Sequence, residues 1–194
     1  MKSLKKLSII NCNIKNVKPG AFYGLNNLEY LNLKGSGIIP EDNSFSKTTE
    51  MLFLQLEDNN ITEITADTFR NLQKLGQLLL DHNKLSYLGN NVFKGFDRLE
   101  IISLSSNYIK EIDEDAFYHL GTLRMFYLSN NILTNIPVIN LKQYNNLTVL
   151  DLGFNRIRSI PDNSFANFTA LEELVLEGNK IGTIAPLGFS NLVI

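Results

Sequence analysis

Four side chains stand out as candidates for chemistry: Glu57 and Asp58, and, 24 residues after each, Asp81 and His82. Carboxylates beside an imidazole suit a divalent cation, or a contact that responds to pH. Nothing in their spacing fixes a ligand geometry, so no metal is expected. Elsewhere the material for catalysis is thin. The chain has two histidines, no tryptophan and one cysteine, Cys12, which excludes an internal disulfide framework and a multi-cysteine zinc site. Gly35-Ser36-Gly37 lacks the third glycine and the strand-to-helix context of a phosphate loop. Neither histidine has a recognisable nucleophile partner, and His119 reads as an ordinary outer-surface residue. No enzyme activity and no cofactor are expected.

The elements that carry these residues follow from a second feature of the composition. Among 194 residues there are 31 leucines and 25 asparagines, at a net charge of -2. The near-neutral balance argues against a nucleic-acid binder of the generally basic kind. No apolar run approaches the ~20 residues that span a bilayer, so no membrane contact is expected of this segment. So much asparagine beside so much leucine signals one structural position used repeatedly. Aligned on Leu4, Leu28, Met51, Leu75, Leu99, Leu123, Leu147 and Leu171, the chain repeats every 24 residues, with one step of 23. Apolar residues recur three and five places on, as in Leu75-Leu78-Leu80. Eight places on stands Asn59, Asn83, Asn107, Asn131, Asn155 or Asn179, with Cys12 and Ser36 in the first two units. Later in each unit comes Phe22, Phe45, Phe69, Phe93, Phe117, Phe165 or Phe189, with Leu141 the exception.

This pattern resembles the leucine-rich repeat family, whose core reads L-x-x-L-x-L-x-x-N/C-x-L. The 24-residue unit with phenylalanine in its second half is similar to the class common in animal extracellular proteins, such as Toll-like receptors, guidance proteins and hormone-receptor ectodomains. Physics points the same way. Leu-x-Leu alternation makes a short strand with one buried face, too short to be stable alone, so units must stack into a parallel sheet. The asparagine amide satisfies backbone groups where the chain turns after the strand, and the phenylalanines form a second buried spine. The expected fold is an α/β solenoid: a curved leucine-rich-repeat horseshoe segment with a parallel inner sheet and a convex face of loops and short helical turns. Residues 1–194 form a single domain of eight repeats without visible caps, read as the middle of a longer ectodomain. The second unit is irregular around Ile38-Ile39-Pro40 and puts Thr48 where an apolar residue is usual; a tolerated deletion is the expected cause, with a local kink or a contact loop as the alternatives.

Side chains between the strand leucines are free of core duty. At the third, fifth and eighth positions of the units, Tyr30, Phe53, Leu79, Ile101, Met125, Tyr127, Val149 and Phe154 are expected to form an almost continuous apolar stripe on the inner face. Exposed stripes of this kind mark binding surfaces. Glu57, Asp58, Asp81, His82 and Asp151 share that face, with Lys34 beside Glu57 as a weak surface pair. Counting flanking positions, the face carries four basic and nine acidic residues, an acidic platform that would steer a basic partner and repel polyanions. Sequons occur at Asn60, Asn146 and Asn167, about the number chance gives at this composition. The resemblance implies non-catalytic recognition of a protein or peptide by the concave face, within an extracellular or cell-surface receptor of innate-immune or hormone type, with homo- or heterodimers open. A secreted matrix or guidance protein, a dimerisation spacer and an inhibitor clamping a basic enzyme are the alternatives.

Overall fold

The computed structural model describes residues 3–137, 145–166, 168–190 and 192. Its strands in chain order are β1 (Lys6–Ser8), β2 (Asn16–Val17), β3 (Tyr30–Asn32), β4 (Ile39–Pro40), β5 (Phe53–Gln55), β6 (Gln77–Leu79), β7 (Tyr87–Leu88), β8 (Ile101–Ser103), β9 (Glu111–Ile112), β10 (Met125–Tyr127), β11 (Val149–Asp151), β12 (Ser159–Ile160), β13 (Glu173–Val175) and β14 (Thr183–Ile184). The three-residue strands pair in parallel as one sheet, β1-β3-β5-β6-β8-β10-β11-β13, one strand per unit. The register keeps equivalent positions side by side, so that Tyr30 faces Phe53 and Met125 faces both Ile101 and Val149. Two-residue ladders, β2-β4, β7-β9 and β12-β14, repeat the pairing on the far side of the coil.

The alternation predicted from the leucines sets the core. In the second unit Leu28, Leu31 and Leu33 are fully buried, and their counterparts through Leu147, Leu150 and Leu152 match them. Leu4, Leu7 and Ile9 at one end, and Leu171, Leu174 and Leu176 at the other, are half-buried because a neighbouring unit covers them on one side only. The asparagines form a continuous ladder. Asn131 Nδ2 donates to the carbonyls of Leu104, Leu128 and Ser129, while its Oδ1 accepts from Ile109 N–H at 2.9 Å. Asn59, Asn83, Asn107, Asn155 and Asn179 repeat the arrangement. Ser36 makes fewer bonds, accepting from Cys12 N–H and donating to the Ile9 carbonyl, as its single hydroxyl allows.

Behind the sheet the phenylalanines stack. Phe22–Phe45, Phe45–Phe69, Phe93–Phe117 and Phe165–Phe189 have ring centroids 5.6 to 6.0 Å apart. Strands stack at ~4.8 Å, so the units are wider at the spine than at the sheet and the coil bends with the sheet inside. Leu141 lies outside the described residues. The irregular second unit is absorbed: Ile39–Pro40 keeps its ladder with Asn16–Val17, and buried Thr48 turns its hydroxyl onto the Phe45 carbonyl at 2.7 Å.

One expectation needs correction. The convex side carries no helical segment among the described residues; it is built from turns closed by single N–H to C=O bonds three residues apart, such as Ala21 to Lys18 and Leu28 to Leu25. Asn43, Asn91 and Asn163 have positive φ in this stretch, which stops a right-handed helix from propagating. Each spends its N–H on a carbonyl of the next unit instead, at Asp67, Asp115 and Leu187.

Candidate functional site

Alternation leaves the third, fifth and seventh side chains of each unit on the concave face. Phe53 is 43% exposed, and Tyr30, Leu79, Ile101, Met125, Tyr127 and Val149 are half-buried. Tyr30 and Phe53 form a tilted ring pair 6.3 Å apart. The Tyr30 hydroxyl donates to Gln55 Oε1 and accepts from Asn32 Nδ2 at 3.4 Å, which fixes the ring. Ile101, Met125 and Val149 are consecutive in one column, with the Tyr127 hydroxyl 3.6 Å from Met125 Sδ. Gln77 stands between Phe53 and Ile101 in that column, so the apolar residues divide into two patches linked diagonally by Leu79. Burial, then the nearby charges of Glu173 and Asp151, push the Tyr127 phenol above its ordinary range.

The eighth position has a backbone rule that the sequence reading did not separate from surface chemistry. Asn11, Gly35, Asp58, His82, Ser106, Asn130, Phe154 and Gly178 all have φ between 53 and 67°. Asn, Asp, His and Gly tolerate this left-handed region, so Asp58 and His82 are selected in part by the turn itself. Their residue types were the available signal. Phe154 is the exception: a bulky residue in a strained conformation and 52% exposed. Its ring lies over Gly178, where an added Cβ would fall 2.5 Å from Phe154 Cδ1.

The acidic residues also sort differently from expectation. Glu57 is not an open platform residue but is only 8% exposed. Lys34 pairs not with Glu57 but with Asp58, Nζ to Oδ2 at 3.2 Å. Bonding to Asp58, then the charges of Asp58 and Glu57, hold the Lys34 ammonium above its usual range. Desolvation pushes the Glu57 carboxyl up, and Asp81 and Asp58 add to it, against the pull of its own backbone N–H and of Lys34. Asp81 Oδ1 accepts from Ser103 Oγ and Ser105 N–H, and Asp151 Oδ1 accepts from Gly153 N–H. His82 is exposed. Among the described residues no three Asp, Glu, His or Cys side chains converge on a common point that could hold a metal ion. Away from this face, His119 is half-buried rather than loose, 3.0 Å from Asn91 Oδ1. Asn60 and Asn146 are exposed, Asn146 Nδ2 reaching the Gly121 carbonyl at 3.3 Å; Asn167 lies outside the described residues.

A family model described as leucine rich repeat matches residues 2–39, 77–133 and 145–193, and one described as leucine rich repeats (2 copies) matches 121–164. Toll-like receptor 3 of Boselaphus tragocamelus is 34% identical over 102 residues, which is 46% of this chain and 11% of that protein. The solved Toll–Spatzle complex of Drosophila aligns with a TM-score of 0.92 at 27% identity, over 99% of this chain and 26% of the matched one. The TLR13–ssRNA13 complex aligns with a TM-score of 0.84 at 30% identity, over 93% and 26%. The chain thus spans about a tenth of the curated relative it matches.

Proposed function

Because the chain belongs to the leucine-rich repeat family, we propose that it is a non-catalytic recognition segment of an extracellular or cell-surface receptor, binding a protein or peptide ligand on its concave face. The observation that carries this is the pair of apolar patches, Tyr30 with Phe53 and Ile101 with Met125, Tyr127 and Val149. They lie on the one face of the sheet where the leucine core leaves side chains in reach of solvent. Aromatics and methionine are the side chains that interfaces favour. Likeness to Toll-like receptor 3 and to Toll supports a receptor of innate-immune type. Asn60 and Asn146 are the proposed glycan acceptors, which peptide mass spectrometry of the secreted chain tests.

The neighbouring TLR13 structure is a complex with ssRNA13, which raises a polyanionic ligand as a second reading. The acidic excess on the inner face of this chain opposes it. Selection of displayed random peptides on the folded chain tests the proposal. Peptides that bind the parent and lose about tenfold or more in affinity when Phe53, Met125 and Tyr127 are all changed to Ala support it. Peptides indifferent to the triple change, or a single-stranded RNA oligonucleotide binding more tightly than any of them, overturn it.

A further inference from the structure

At the seventh and eighth positions of units two to four, Lys34, Glu57, Asp58, Asp81 and His82 are neighbours. One oxygen of Glu57, Oε2, is closed off from solvent and has no hydrogen-bond donor, the sole such side-chain atom among the described residues. A buried carboxylate oxygen left without a donor is costly to the folded chain. The charges that face Glu57 are Lys34 from the unit before, Asp81 from the unit after and Asp58 beside it, so that with Glu57 three carboxylates share one ammonium. Lys34 is turned onto Asp58, and that pair is nearly half exposed on both sides. Asp81 is held in place by Ser103 and Ser105 and feels Lys34 only as a weak, more distant charge.

We propose that this acidic cluster receives a lysine or arginine side chain of the protein ligand, which displaces Lys34 from Asp58 and, as Glu57 Oε2 turns out from its cover, supplies the donor that this oxygen lacks. The inference rests on reading the concave face as the recognition surface. Lys34 occupies the cluster as an intramolecular stand-in: an exposed ion pair of this kind is weak, so exchanging it for a ligand cation costs little. A guanidinium suits the cluster best, because its forked donors serve two carboxylates at once, whereas an ammonium acts as a point charge. The exposed ring of Phe53 lies four residues before Glu57 in the same unit, ~13 Å along an extended chain. A ligand that engages both therefore carries an apolar residue a few positions from its basic one. Among the described residues no three such ligand groups converge as a metal ion requires, and the proposed occupant is an organic cation.

Calorimetric titration of the whole chain with a capped tetra-arginine peptide tests this, with calcium chloride as a competitor. Glu57→Gln and Asp81→Asn are expected to weaken binding about tenfold each, whereas Lys34→Ala tightens it severalfold by removing the competing cation. Lys110→Ala makes the same change in net charge on the far side of the coil and is expected to leave affinity unchanged. Parent-like binding by both acidic variants, equal tightening by Lys110→Ala, or displacement of the peptide by calcium overturns the role of the cluster. Peptides selected on the chain separate the two proposals: if they still require Phe53, Met125 and Tyr127 while the acidic variants bind tetra-arginine like the parent, the role of the cluster alone falls. If they ignore those three residues while tetra-arginine follows the acidic variants, the broader reading falls instead.

Discussion

Phe154 holds a left-handed backbone conformation that Asn, Asp, His, Ser or Gly holds in the other units, at a backbone cost of about 1–2 kcal/mol. Large side chains kept in such a place, half in solvent, point to use rather than to stability. Phe154→Asn is therefore expected to raise unfolding free energy by about 1 kcal/mol in chemical denaturation, while weakening any ligand that reaches the seventh unit. Glu57 carries a second cost. Its carboxyl titrates above the ordinary range because burial disfavours the charge, so the native state holds the proton more tightly than the unfolded chain. Stability from that proton is complete below the ordinary carboxyl range and is lost as pH rises through the raised native value. Glu57→Gln is accordingly expected to melt above the parent near pH ~7.5, with the gap closing towards pH ~4, as paired thermal scans would record.

The repeating elements are held by polar groups as much as by leucine. Asn131→Ala removes three donated bonds and one accepted bond in a buried turn, and is expected to destabilise the chain by ~3 kcal/mol or more in urea titrations. Cys12, at the exposed end of the same column, is expected to tolerate Ala with little change. The column of asparagines, the strand leucines and the phenylalanine spine were all legible in the sequence, because each position meets the same environment in every unit. Pairings between columns were not. Position seven holds exposed Ile10 and buried Glu57 alike, since Ile10 has a neighbouring unit on one side only and Glu57 on both. Lys34 reaches across to position eight and takes Asp58, and Gln77 divides the almost continuous stripe into two patches. The turns of the convex side went unread because their left-handed asparagines look like any other polar loop residue.

In the whole molecule each unit touches only its neighbours, so stability is a sum of local terms and interfaces. Leu78, fully buried between two units, and Leu174, half-buried near the end of the sheet, occupy the same position in the repeat. Leu78→Ala is expected to cost ~3 kcal/mol or more and Leu174→Ala less than half of that, which equilibrium denaturation of the two variants would compare. The mismatch between ring spacing and strand spacing has a geometric consequence. About 1 Å of extra width per unit, across a layer ~10 Å deep, tilts successive units by ~0.1 radian. Eight strands then sweep roughly an eighth of a circle, so the inner face is a shallow open arc rather than a closed ring.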